Sequence, residues 1–434
     1  MPGRDLPNPW NIFNLRSSPY WQDPLGDGDS THPLSLFVGR ERELGQLLTG
    51  LHGAGACSSR RAVYGSPGVG KTTLVKQFKA RALADGFLTT DSFVPLVAEE
   101  TTEGLFGRVL GAVYDTVLAN RPHTIDHASM QAAQTLVRAA RERARGGGVS
   151  LFGAGVSVSQ STNATVPRDM LIDGPRVLRD LMTLVQESDA RGILVHINNL
   201  ENLSEADADR AGTVLRDLRD PMLMHNGLHV IIVGTLDAIQ ATVMVTPQVR
   251  TTFSVLSLEP LTEHEVRALL DARYAHLMLD RTRDVVPPVE PSAVVRLHQL
   301  FRGDLRGVLK ALDDGVTPNI GLVPARKAKG RHVGSAIHSL SFDELRPLLA
   351  QAYAQQLNVL PEEARVAQLI AWGRSGADAT HTQKSLGKLW HVSQPAVSQA
   401  LAFLIRQGYV MALGRQAGAP TQYVLTGHSR LIFE

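Results

Sequence analysis

One cysteine, Cys57, in 434 residues excludes an internal disulfide and any cysteine-built zinc cluster, and fits a reducing cytoplasm as the expected location. No run of about 18 apolar residues occurs. Residues 1–5 lack the charged-then-apolar pattern of an export signal, so no membrane partner is expected. Net charge is scarce too: basic and acidic side chains nearly cancel, leaving +2. Nucleic-acid contact would therefore have to come from local patches rather than a global field. What the chain has in plenty is apolar content, 43%, and a length that suits two or three domains of ~100 to 200 residues.

The most specific pattern is Gly65, Ser66, Pro67, Gly68, Val69, Gly70, Lys71, Thr72. It fits GxxxxGK[ST], follows the short apolar stretch Ala62 to Tyr64 and opens an amphipathic one. In that setting the glycines let the backbone turn tightly and aim N–H groups at phosphate oxygens. Lys71 can then reach the outer phosphates and the Thr72 hydroxyl can sit on Mg²⁺. The helix expected from Thr73 to about Arg81 adds its positive dipole end to the same anion site.

Around this site the chain alternates strand-like and helical runs from Phe37 to about Leu258, the signature of an α/β parallel sheet. The expected strands are Ala62 to Tyr64, Phe93 to Val97, Ile193 to Ile197, Val230 to Val233 and Phe253 to Leu258. Residues 1–34 read as an irregular arm with Trp10, Phe13, Tyr20 and Trp21 packing onto the next domain. An insertion at about 100–165 holds a helix with Arg138, Arg141, Arg143 and Arg145, then an alternating run around Gly153 to Gly155. That run reads as a β-hairpin at 146–162, either a plain surface hairpin or one that touches DNA or a neighbouring subunit. The core is thus expected over 35–259. A helical lid follows over 260–320, opened by the capping box Thr262/Glu265 and continued by a helix capped at Asp304. A basic linker with Arg326, Lys327, Lys329 and Arg331 occupies 321–342.

A phosphate cradle needs a second segment to hold the metal and polarise the attacking water, usually acidic residues at the end of a neighbouring strand. Here the run Ile193 to Ile197 ends in Asn198 and Asn199. An amide oxygen accepts a hydrogen bond from a metal-bound water but cannot take a proton. Glu201 is the remaining candidate base, and the two asparagines also suit a turn after the strand. ATP binding is expected more firmly than turnover, with ATP and Mg²⁺ as cofactors and Thr72 and Asn198 as metal ligands.

Phe37, Val38, Gly39, Arg40, Glu41, Arg42, Glu43, Leu44 resembles the opening box of the AAA+ and STAND ATPases, which implies that Val38, Gly39 and Arg40 lie beside the adenine. The likeness spans roughly Phe37 to Leu312. Val233, Gly234, Thr235 is similar to the strand end that carries the first sensor in that family, with Thr235 its polar residue. Arg250 lies where the family often places a finger reaching a neighbouring subunit's nucleotide, which implies an ATP-dependent homo-oligomer; it also suits a plain surface residue. Gly303, Asp304, Leu305, Arg306 resembles the second sensor of the origin-recognition and initiator clade, implying that Arg306 approaches the γ-phosphate from the lid. The resemblance implies roles for Thr235, Arg250 and Arg306, while Asn198 and Asn199 depart from the family's acidic pattern and, with Glu201, complete the candidate catalytic set; Gly65 to Thr73 are the candidate nucleotide contacts.

Residues 343–434 are the expected C-terminal domain, and from Pro361 to Gly427 they read as three short helices followed by two strands, the order of a winged helix-turn-helix. Ser393 and Pro395 suit the opening of the third helix, and Val397, Leu401 and Leu404 form its buried stripe. The stretch Val392 to Leu401 is similar to the recognition helix of MarR-type winged domains. Ser393, Gln394, Ser398 and Gln399 are the candidate base-facing residues, Gln being suited to adenine. Lys384, Lys388 and the wing residue Arg415 are the phosphate candidates. A winged domain serving protein contacts is the alternative. The whole is expected to be an α/β P-loop NTPase of AAA+ type with a helical lid and a C-terminal winged helix. It would be an ATP-binding switch on duplex DNA with slow hydrolysis. The alternatives are a signalling or antiviral-defence switch with a protein partner, and a nucleotide-binding regulator without turnover.

Overall fold

Short β-branched runs alternating with amphipathic segments build a parallel sheet with helical connections. A computed structural model describes residues 8–26, 31–54, 57–146, 170–320, 338–413 and 420–433. The expected hairpin at 146–162 apart from Gly146, most of the basic linker and Arg415 lie outside them, as does the side chain of Glu201. The chain divides into two compact units. The sheet unit comprises Glu41–Gly65 and Leu74–Leu258; the lid unit comprises Met1–Arg40, Ser66–Thr73 and Glu259–Glu434.

In the sheet unit the strands are β1 (Arg60–Gly65), β2 (Leu88–Thr89), β3 (Val94–Pro95), β4 (Ile193–Asn198), β5 (Leu228–Gly234) and β6 (Ser254–Leu258). They pair in parallel in the order β2-β4-β5-β1-β6, with β3 also on β4. The register sets Val63 beside both Val233 and Leu256, and Ile197 beside Ile232. Every residue of β5 is buried, as befits a strand covered on both faces. The stretch expected as one strand from Phe93 to Val97 forms only the two-residue β3, while β2 was not foreseen. The Leu96 N–H still donates to the Asn198 carbonyl at 3.0 Å, but the next one, of Val97, donates to the Glu100 carboxylate at 3.2 Å instead of to a strand, and Phe93 and Val97 are exposed.

Among the described residues the helices that accompany these strands are α1 (Glu41–Gly53), α2 (Lys71–Ala84), α3 (Thr102–Asn120), α4 (Ala128–Gly146), α5 (Met170–Glu187), α6 (Glu205–Asp217), α7 (Leu236–Thr242) and α8 (Pro247–Arg250). The first turn of α2 falls in the lid unit. Among the described residues between β3 and β4, α3, α4 and α5 pack around a core that includes Phe106, Leu110, Val137, Met170 and Leu181. Of the arginines on α4, Arg141 pairs with Asp115 at 2.5 Å and Arg143 with Glu103 at 4.0 Å, both acids on α3.

The lid unit holds α9 (Glu263–Leu277), α10 (Pro291–Leu300) and α11 (Leu305–Val316), then α12 (Phe342–Asn358), α13 (Glu363–Ser375), α14 (Gln383–Trp390), α15 (Gln394–Arg406) and α16 (Gly427–Phe433). Thr262 and Glu265 close the expected capping box on α9. The N-terminal arm packs on this lid: Trp10, Phe13, Leu15 and Tyr20 share a core with Val266, Leu270, Tyr274 and Leu297. Asn14 donates to the carbonyls of Asp280 (2.8 Å) and Arg283 (2.7 Å). Buried Arg273 donates to the carbonyls of Pro19 and Trp21 and lies 4.1 Å from the Trp21 ring centre. The C-terminal helices and the antiparallel strands β7 (His381–Thr382), β8 (Val410–Leu413) and β9 (Gln422–Leu425), ordered β7-β9-β8, enclose a third core around Leu369, Trp372, Val397 and Leu404. Helix α12 straddles the last two cores, with Leu345, Leu349 and Tyr353 in the lid core and Leu357 in the C-terminal one.

Candidate nucleotide-binding site

The loop after β1 has the backbone shape that an anion cradle demands. Gly68 and Gly70 sit at φ +77° and +95°, a region that glycine enters without the Cβ clash other residues meet. Lys71 heads α2 and its Nζ donates to the Ser66 carbonyl at 3.0 Å, so the ammonium lies back across the loop. Thr72 and Thr73 occupy the first turn of the same helix.

Two neighbours in the lid unit hold the loop from behind. The Arg40 guanidinium is buried and donates to the carbonyls of Val69 (3.2 Å) and Glu259 (2.5 Å). Gly39, beside it, is at φ +79°, and a Cβ there would lie 2.9 Å from the Glu265 side chain, so the box Val38, Gly39, Arg40 tolerates nothing larger at its centre. The second neighbour is Asp304. Its Oδ1 accepts the Gly307 N–H at 3.0 Å as the N-cap of α11. The same oxygen lies 1.7 Å from where a Cβ on Gly68 would be. Burial raises the Asp304 carboxyl above its ordinary range, against the lowering effect of the Gly307 N–H, Arg306 and Lys71. Arg306 is exposed on the first turn of α11.

The remaining candidates belong to the sheet unit. Asn198 closes β4, and its Oδ1 is buried with no hydrogen-bond partner among the described residues. Asn199 follows at φ +72°, a left-handed conformation that asparagine adopts more readily than most side chains, and starts the turn Leu200–Asn202 that contains Glu201. Thr235 caps α7, accepting the Ala238 N–H at 3.4 Å. Arg250 is exposed at the end of α8. His196, two residues before Asn198 and so on the same strand face, is buried with Nε2 unpartnered; burial first, then Lys79, holds its imidazole neutral down to about 3.

Residues 36–233 match the protein family described as AAA ATPase domain. This segment is similar to an AAA ATPase domain. No curated protein matches the chain. Solved structures similar to it include the ORC2 protein of Aeropyrum pernix in ADPNP-ADP complexes, at 17% identity over 95% of both chains with a TM-score of 0.46. Also similar are the ORC1 protein of Aeropyrum pernix in complex with DNA (15%, 91% of this chain and 92% of that one, TM-score 0.43) and Cdc6p of Pyrobaculum aerophilum (13%, 95% and 97%, TM-score 0.40).

The lid unit thus brings together residues 66–73 of the cradle, the Gly39–Arg40 corner and the Gly303-to-Arg306 turn, whereas Asn198, Asn199, Glu201, Thr235 and Arg250 belong to the sheet unit. Sequence reasoning assigned Asp304 only a capping role; the signal for more was its place two residues before Arg306. At the far end of the lid unit, Ser393, Gln394, Ser398 and Gln399 are exposed along the start of α15, and Lys384 and Lys388 are exposed on α14. Ser393 stands at the N-cap position that suits the opening of α15, without a side-chain cap bond among the described residues. Val397, Leu401 and Leu404 are buried beneath.

Proposed function

We propose that this chain is an ATP-binding AAA+ switch that engages duplex DNA through its C-terminal helices and hydrolyses ATP slowly. The observation that carries the nucleotide half is the loop 65–72 within the AAA ATPase match: two positive-φ glycines and a lysine at a helix head. That geometry fits a triphosphate, because backbone N–H groups there meet no side chain of their own residue. Thr72 would hold Mg²⁺, with the amide oxygen of Asn198 as a further neutral oxygen donor of the type hard cations accept. Bound Mg²⁺-ATP supplies the reactive phosphoanhydride and its charge. Lys71 and Arg306 would pair with that charge, Arg306 through its planar fork, and Val38, Gly39 and Arg40 would flank the base. Neither Asn198 nor Asn199 can accept a proton, so Glu201 is left as the proton acceptor and slow turnover follows. Arg250 serves as the finger of an ATP-dependent oligomer in this reading.

The DNA half is supported by the polar, exposed opening of α15 over a buried apolar stripe, with two exposed lysines on the preceding helix. Ser393, Gln394, Ser398 and Gln399 would face bases, and Lys384, Lys388 and Arg415 phosphates. The test is titration of the purified protein with a fluorescent ATP analogue, then with random duplex DNA at two salt concentrations. Saturable nucleotide uptake that Lys71→Ala abolishes at unchanged melting temperature is the expected result, with DNA binding that weakens as salt rises. Absence of DNA binding with or without ATP leaves a switch with a protein partner. No phosphate release from either the parent or Glu201→Gln, while Lys71→Ala abolishes ATP binding, leaves a regulator without turnover.

A further inference from the structure

The turn at 300–304 touches the phosphate cradle at one end and the C-terminal helices at the other. At its cradle end Asp304 abuts Gly68. Gly303 is at φ +83°, where a Cβ would meet Pro260 at 2.3 Å, and Arg302 before it is at φ +52°, so two consecutive residues hold left-handed conformations. At the other end the turn is gripped by the last helix. Arg430, 8% exposed, donates to the Leu300 carbonyl and to the Asp378 carboxylate. The Phe301 ring lies against Gly427, where a Cβ would come within 2.2 Å, and edge-on to His428 at 5.0 Å. The Arg302 guanidinium reaches the Asp378 carbonyl at 3.4 Å.

We propose that residues 300–304 couple the two ends, so that a triphosphate in the cradle and duplex DNA on α14 and α15 alter each other's affinity through Asp304, Arg430 and Asp378. This rests on the nucleotide and DNA reading above. The differential interaction it requires is electrostatic. The Asp304 carboxylate and a phosphate beside Gly68 carry like charge, so nucleotide favours an arrangement in which the carboxylate has withdrawn. Five residues anchored at both ends cannot absorb that shift locally, because packed elements switch between discrete arrangements rather than deform smoothly. The displacement passes to Arg430 and Asp378, and by linkage the effect is reciprocal.

The experiment measures affinity for the fluorescent ATP analogue with and without saturating random duplex DNA, in the full chain. In the parent the two affinities differ by about fivefold or more. In Arg430→Met and in Asp378→Ala both ligands still bind and the ratio falls to within about twofold of one. Asp304→Asn, which keeps the helix cap, tightens nucleotide binding several-fold. Arg430 is buried, so melting curves accompany that variant; the Asp378 side chain is largely exposed, and its variant decides if the other unfolds. A parent that binds both ligands at a ratio of one overturns the coupling and leaves the proposed function standing, as does an unchanged ratio in folded Asp378→Ala. A parent that takes up no nucleotide overturns both.

Discussion

Single positions in the cradle carry geometric demands that can be tested one at a time. Gly68→Ala would force a Cβ into a left-handed backbone position and onto the Asp304 carboxylate. A loss of about 1–3 kcal/mol of stability in urea melts is expected, together with loss of nucleotide uptake; an alanine variant that binds as well as the parent would refute the contact. Buried histidines give a second residue-scale prediction. Burial holds His196 down to about 3 and His229 to about 4, helped by Lys79 for the first and by Arg60 and Arg191 for the second. Neutral His229 Nδ1 accepts the Ser59 N–H at 3.1 Å, a bond that protonation destroys. Both folded values lie below the 6.5 of a free imidazole. Over that window the unfolded chain binds more protons, so stability is complete above about pH 6.5 and is lost as pH falls toward 4. Denaturation midpoints at about pH 7.5 and about pH 5 should differ less in His196→Met than in the parent; an equal difference removes His196 from the account.

Among elements, the pair α14 and α15 separates two kinds of contact. Lys384→Ala and Lys388→Ala should each weaken DNA binding for all sequences and lower the salt slope by about one. Gln394→Ala and Gln399→Ala should instead cost about 1–3 kcal/mol of discrimination between sequences and spare the salt slope. Lysine variants with an unaltered slope would place the phosphate contacts elsewhere. Elements with local signals were readable from the residues alone. The Thr262/Glu265 box and the Asp304 cap need only neighbours three apart, and the structure shows both bonds. Where the signal was not local, it failed. The stretch expected as one strand from Phe93 to Val97 pairs with β4 only at Val94 and Pro95, and α16, seven residues long, owes its helix to partners it meets far away in sequence.

For the whole molecule, α16 ties chain ends to distant segments: Leu431 is buried in the lid core and Arg430 reaches the Leu300 carbonyl. Leu431→Ala should therefore destabilise the protein by about 2–5 kcal/mol in denaturant titrations; a change below about 0.5 kcal/mol would show that α16 is peripheral. For the same reason, removing the C-terminal helices would strip cover from the lid, so point substitutions are the sounder probes of DNA binding. Residue order alone settled the parts whose physics is contiguous: a cradle of eight neighbouring residues, a strand run ending in two asparagines, caps and an apolar stripe at helical spacing. Folding in three dimensions decided what residue order leaves open. It set Asp304 against Gly68 across more than two hundred residues of chain, laid Trp10 and Tyr20 in the lid core, and bound α16 to the turn beside the cradle. Those contacts are made by desolvation and close packing between distant segments, and neither leaves a periodic trace in the chain.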